Sequence, residues 1–196
     1  MPSKPILSDV DKKAIRQKLE ELCEECWITQ GYKKTSIKNL CDKAAISIGT
    51  FYKLYPTKED LFFETIMSIQ RRLTEKIIDI NKHSQTKEGF AKSLKILFRE
   101  YDSKPFLYNV HTPDFQSFVT KLPEEMVKEL KFYNLDSFSQ VIHAAGLSLK
   151  MDEALAHGIL SALVSTISAR ETLSSTCDHF AVFDFMADSL VADIFM

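Results

Sequence analysis

TSIKNLCDKAAISIGTFYKLYPTKEDL, residues Thr35 to Leu61, is the stretch that decides the fold. Ile37, Leu40, Cys41 and Ala44 recur at helical spacing, and Phe51 and Leu54 form a second short stripe after a break at Ile46-Ser47. Thr35 or Ser36 is placed to cap the first of these helices and Ser47 the second, because a hydroxyl just before a helix accepts one of its unpaired N–H groups. Neither stripe can bury itself alone. Each needs the other and a longer helix behind, which is the arrangement of a helix-turn-helix. Gly49 inside the second helix costs about 1 kcal/mol relative to Ala, so a close approach is expected there, either by a neighbouring helix or by a DNA backbone.

Outward from this stretch, Pro56 ends the third helix of the chain and Thr57 caps a fourth. Glu59 and Asp60 place negative charge in its first turn, where the helix dipole favours it. That helix continues to about Lys82 and spans roughly 35 to 40 Å. Upstream, residues 1–7 read as a loose arm, and Ser8 or Asp9 caps a helix running to about Gln30. Ile15, Leu19, Leu22, Cys23, Cys26 and Trp27 lie on one face of it, and Gly31 stops it. Downstream, helices are predicted over 87–103, 124–145 (stopped by Gly146), 152–173 and from about 178 to the end, with a broken region around Pro105, Pro113 and Pro123. Leu155, Ile159, Ala162, Leu163 and Thr166 share one face of the 152–173 helix. Phe183, Met186, Leu190 and Ile194 do so on the last.

The composition agrees with an all-α protein. Across 196 residues there are only five Gly and six Pro, and strand-like alternation is nearly absent. The net charge of −2 announces no nucleic-acid partner by itself. Its distribution is mildly asymmetric, with 11 Lys+Arg against 9 Asp+Glu in residues 1–60 and 14 against 18 in the remainder. No secretory leader and no membrane-spanning run is evident, so a cytoplasmic, reduced protein is expected. Cys23 and Cys26 form a C-x-x-C, but inside a strongly helical segment and without a second ligand pair nearby. Core packing is the simpler account.

In order and at the right spacing, Gly31-Tyr32, Thr35-Ser36-Ile37, Leu40-Cys41, Ala44-Ala45-Ile46-Ser47, Gly49-Thr50-Phe51-Tyr52 and Lys58-Glu59-Asp60-Leu61 match one family pattern. By these residues the chain resembles the TetR-family transcriptional regulators. The resemblance covers Leu19 to Leu61; the rest agrees in helix number and length. It implies an N-terminal three-helix DNA-binding head (1–56) joined by a long helix to a larger helical ligand-binding and dimerisation domain (57–196). The family often has Gly where Ala45 stands and Lys or Arg where Ile48 stands.

The same resemblance assigns roles. The helix from Ser47 to Leu54 would enter the major groove of a palindromic double-stranded operator, with Ile48 and Thr50 towards base edges. Ser47, Tyr52 and Lys53 would approach the backbone, and Thr35 or Ser36, Lys38 and Lys58 would hold phosphates. The protein would be a homodimer through its two C-terminal helices, and a repressor released by a small, largely apolar or aromatic effector. Phe98, Tyr101, Phe106, Tyr108, Phe115, Phe118, Phe138 and His143 are the candidates to line its pocket. No cofactor, metal or catalytic residue is expected: there is no phosphate-cradling Gly loop, and His111, His143, His157 and His179 are scattered. A TetR-like scaffold that binds a protein partner in place of DNA is the alternative.

Overall fold

The computed structural model describes residues 8–108, 110 and 112–196, without the side chains of Phe132, Asn134 and Leu135. The expected arm (residues 1–7) and His111 lie outside the described residues. Eleven α-helices follow in order among the described residues, with no strand. They are α1 (Asp9–Lys34), α2 (Ile37–Ala44), α3 (Ile48–Leu54), α4 (Lys58–Ser84), α5 (Lys87–Ser103), α6 (Pro105–Tyr108), α7 (Pro113–Val119), α8 (Glu124–Ala145), α9 (Glu153–Ser165), α10 (Arg170–Ser174) and α11 (His179–Ile194).

The caps explain the boundaries. Ser8 and Thr57 each form a reciprocal capping box, with Asp11 and Asp60 respectively. Ser36 accepts from the Asn39 N–H and Ser47 from the Thr50 N–H, starting α2 and α3. Between these two helices Ala45 takes the left-handed conformation, φ 56° and ψ 42°. The turn is thus built without a glycine. At Gly31 the chain does not stop. It breaks at φ 82° and ψ 173° and then makes a further helical turn to Lys34.

The region around the prolines also differs from the expected interruption. Pro105 and Pro113 stand at the first position of α6 and α7, where a missing N–H costs nothing and the fixed φ favours a helix. The 152–173 helix is shorter than expected: α9 ends at Ser165 and a 3-10 turn over Thr166–Ala169 leads into α10. Its buried stripe is Ala156, Leu160 and Leu163. Leu155 and Ala162 point outward, one helical step away from the face expected.

Two apolar cores result. The first joins Leu19, Cys23, Trp27, Leu40, Phe51 and Leu54 of the head to Leu61, Phe62 and Ile66 of α4 and to Phe115 and Phe118 of α7. The second packs Phe90, Leu94 and Phe98 of α5 against Leu160 of α9 and Phe183, Val191 and Ile194 of α11. Each fully buried large side chain contributes roughly 1.5–3 kcal/mol. The first half of α4 is therefore fixed to the head. Its second half, with Ile77 buried, runs alongside the larger domain.

Candidate nucleic-acid interface and internal cavity

Phe51 and Leu54 anchor α3 in the head core, and the helical period then turns Ile48 and Tyr52 outward. These two side chains are 47% and 51% exposed, unusual for large apolar or aromatic groups. Gly49 and Lys53 are exposed beside them, Thr50 is half-buried, and the Ser47 and Thr50 hydroxyls share a hydrogen bond of 2.9 Å. A Cβ at Gly49 would meet only Ser47 Oγ, at 3.7 Å. Among the described residues no neighbouring helix comes close enough to require the glycine. On α2, Lys38 and the capping Ser36 are exposed.

The other two residues assigned to phosphates are engaged internally. Thr35 is buried, and its hydroxyl donates to the Gly31 carbonyl at 2.8 Å and accepts from Gln30 Nε2 at 3.3 Å. Of the pair Thr35 and Ser36, only Ser36 faces outward. Lys58 is half-buried: its Nζ donates to the Tyr32 carbonyl at 2.5 Å and lies 4.0 Å above the Tyr32 ring. Burial lowers its pKa from the ordinary lysine value.

Behind α4 lies a cavity of about 590 Å³. Its wall is formed by Ile66, Gln70, Thr74 and Ile77 of α4; Leu94, Leu97 and Tyr101 of α5; Tyr108; Phe115; Ser137 and Phe138 of α8; and His157, Leu160 and Ser161 of α9. Tyr101, Tyr108, Phe115 and Phe138 are among the sequence-predicted residues, and Tyr101 and Tyr108 stack at 4.4 Å. The other four are elsewhere. Phe98 stacks on Phe183 at 3.8 Å in the second core, Phe118 is wedged against Trp27, Tyr32 and Phe62, Phe106 is on the surface, and His143 is exposed near the end of α8. Leu94, Leu97 and Tyr101 hold the cavity stripe of α5, so Phe98, one residue out of phase, faces α11.

Polar wall residues that the aromatic pattern missed are Gln70, Lys131, Ser137, His157 and Ser161. Gln70 Oε1, Tyr108 OH and Ser137 Oγ are buried without a hydrogen-bond partner among the described residues. Gln70 and Thr74 fall in the same apolar stripe as Ile66 and Ile77, and a polar residue inside such a stripe is the signal that could have found them. His157 packs edge-on to Phe138 at 4.6 Å. Among the described residues the wall carries one cation, Lys131, and no carboxylate.

No cluster of three or more metal-ligating side chains occurs among the described residues. Burial pushes the Cys23 thiol far above its ordinary value, the direction expected of a cysteine packed in a core. Ser174, His179 and Asp102 do form a row, with Oγ to Nδ1 at 3.0 Å and Nε2 to Oδ1 at 3.2 Å. Arg170 also pairs with Asp102, at 3.6 Å, and the row lies outside the cavity wall. It ties the α10–α11 corner to the end of α5. No helix among the described residues is long and apolar enough to cross a membrane.

The comparisons with known proteins meet this geometry at the head. Residues 23–65 match the family described as bacterial regulatory proteins, tetR family. No curated protein sequence matches the chain. Among solved structures, FadR from Bacillus subtilis, in complex with stearoyl-CoA, superposes with a TM-score of 0.60 at 16% identity, over 91% of this chain and 98% of that one. The reduced form of NemR from E. coli gives 0.66 at 12% identity, over 93% and 98%. A TetR-family regulator from Marinobacter aquaeolei gives 0.63 at 16% identity, over 96% and 99%. At these identities the likeness carries the fold alone. The chain thus joins a helix-turn-helix head, similar over residues 23–65 to the bacterial regulatory proteins of the tetR family, to a long fourth helix and an all-helical body.

Proposed function

We propose that the protein is a repressor that binds a palindromic operator as a homodimer and is released by a small, largely apolar or aromatic effector held in the cavity. The observation that carries this reading is the outward face of α3, where Ile48 and Tyr52 are held exposed by the buried Phe51 and Leu54. A helix of seven residues presents little else to a partner. In the major groove Ile48 supplies an apolar contact suited to a thymine methyl, and Thr50 a hydroxyl for a base edge. Ser47, Tyr52 and Lys53 hold the backbone together with Ser36 and Lys38. Lys58 reaches a phosphate only after leaving the Tyr32 carbonyl.

So few cations per head favour two heads on one site, with half-sites about one helical turn or a multiple apart. The two C-terminal helices, α9 and α11, are the proposed dimer surface. Leu155 and Phe185 point out from them, Phe185 being 73% exposed. In this reading the DNA-binding head ends at residue 56, and the first half of α4, although it belongs to the body by sequence, packs into the head core and carries the motion between them. The cavity suits an effector with an aromatic or apolar body and one hydrogen-bonding group, which the unpaired Gln70, Tyr108 and Ser137 atoms would meet. Its binding favours one tilt of α4 and changes the separation of the heads.

A gel shift with the DNA upstream of the protein's own gene, repeated at rising salt, tests the proposal. Binding that weakens steeply with salt is expected, because phosphate contacts release counterions. The Tyr52→Ala, Lys53→Ala double variant should lose the shift and keep its dimeric mass. Retained binding by that variant would show that α3 is not the contact helix. Absence of any shift would favour the protein-partner reading.

A further inference from the structure

Two adjacent residues of α7 face different parts of the molecule. Phe115 lines the cavity, and its ring lies 6.0 Å from that of Trp27 in α1. Asp114 reaches the corner between α1 and α2: its Oδ2 accepts the Tyr32 N–H at 2.7 Å and its Oδ1 the Lys33 N–H at 3.0 Å. The corner fits the carboxylate because Gly31 leaves the helical path there, at φ 82°. A Cβ on Gly31 would come within 2.6 Å of Asp114 Oδ2. Glycine, carboxylate and the two amides form one fitted set, joining positions about 80 residues apart.

The same corner is tied to α4. The Tyr32 hydroxyl is hydrogen-bonded to Glu59 and accepts from Lys121 Nζ at 3.0 Å, and the Tyr32 carbonyl takes Lys58. Two residues beyond the Asp114 contact, Thr35 closes α1, and Ser36 then caps α2. Whatever moves this corner moves the start of α2, and α3 follows through the shared head core.

We infer that Asp114 is the positioning residue that couples occupancy of the cavity to the placement of the DNA-binding head. The inference rests on the reading of the cavity as an effector site. Phe115 and Asp114 share one peptide unit in a short helix, so a molecule that pushes the Phe115 ring aside displaces the carboxylate. Charge-assisted bonds to two backbone N–H groups are strong and directional, so they hold in one placement of α7 and break in another. That gives the two states different contacts, which is what a ligand needs to shift their balance.

Linkage provides the test, because operator and cavity ligand must change each other's affinity by the same factor. The cavity probe is 8-anilinonaphthalene-1-sulfonate, read by fluorescence, and the DNA is a duplex selected on the wild-type protein from a random pool. In the wild type, DNA should weaken the probe by about 5-fold or more. In Asp114→Ala the ratio of the two probe affinities should fall to near one while probe and DNA each still bind. Asp114→Asn, which keeps one acceptor oxygen, should lie between, and it decides the matter if the alanine variant does not fold. A merely structural contact would change both affinities and leave the ratio intact. A wild-type ratio in the folded variants overturns the role of Asp114 and leaves the effector reading standing. A ratio of one in the wild type, or no probe binding, overturns the effector reading and this inference with it.

Discussion

Gly31→Ala should be among the most damaging single-atom-scale changes in the head, and its cost can be divided. Residue 31 sits at φ 82° and ψ 173°, a region in which an L side chain costs about 1–3 kcal/mol. The new Cβ would also stand 2.6 Å from Asp114 Oδ2, 2.9 Å from its Cγ and 3.0 Å from its Oδ1. The carboxylate must therefore withdraw. It gives up the Tyr32 and Lys33 amides, and hydrogen bonds to a charged acceptor are worth about 1.5–3 kcal/mol each. The Lys33 amide is exposed and recovers its partner from water, so one bond's worth is the better figure. The total is about 2.5–6 kcal/mol, a large fraction of the roughly 5–15 kcal/mol of an ordinary domain. At about 2–4 °C per kcal/mol for a chain of this size, the melting temperature should fall by roughly 10 °C. Circular dichroism melts of the wild type, Gly31→Ala, Asp114→Ala and the double variant measure it. In the Asp114→Ala background the steric component is gone, so Gly31→Ala should cost only its backbone part. Strict additivity of the two changes, or an unchanged melting temperature for Gly31→Ala, would show that Gly31 and Asp114 are not a fitted pair.

Three further outcomes are expected. Ala45→Gly should raise stability by about 0.5–1 kcal/mol, because relief of the left-handed Ala45 outweighs the extra freedom glycine gives the unfolded chain; chemical denaturation measures the sign. Burial pushes the Tyr101 hydroxyl up to about 12, against an unfolded value near 10. Its contribution to stability is thus complete below pH about 10 and is lost as pH rises from there through about 12. Tyr101→Phe should flatten that alkaline fall in melting temperature, and an unchanged slope would contradict the assignment. Phe98→Ala should cost about 3–5 kcal/mol by removing the stack on Phe183, yet leave 8-anilinonaphthalene-1-sulfonate binding in the cavity close to wild type.

The head was legible because its determinants are local. Ser36, Ser47 and Thr57 cap where a hydroxyl before an apolar stripe predicts, and Phe51 and Leu54 are buried as their spacing requires. What the sequence left open was decided by tertiary packing. Thr35 and Ser36 are equivalent as caps on paper, but the α1–α2 corner turns Thr35 inward to Gly31. Lys58 reads as a free surface cation, but the Tyr32 carbonyl beside it already takes its ammonium. In the larger domain a single step of helical phase separates Phe98 in the core from Leu97 and Tyr101 on the cavity wall, and aromatic character alone cannot resolve that step. Asp114 had no signal at all, since its partners lie about 80 positions away and are backbone amides without side-chain identity.

In the proposed function α3 reads base edges in the major groove of two symmetric half-sites. Base-modification interference on the selected duplex tests it most directly, combining methylation of guanine N7 with replacement of thymine by uracil, since both alter only the major groove. Two clusters of interference related by two-fold symmetry and centred about one helical turn apart, or a multiple, are predicted. Ile48→Ala should remove the uracil signal from both clusters. A single cluster, or no interference from either modification, would contradict this reading.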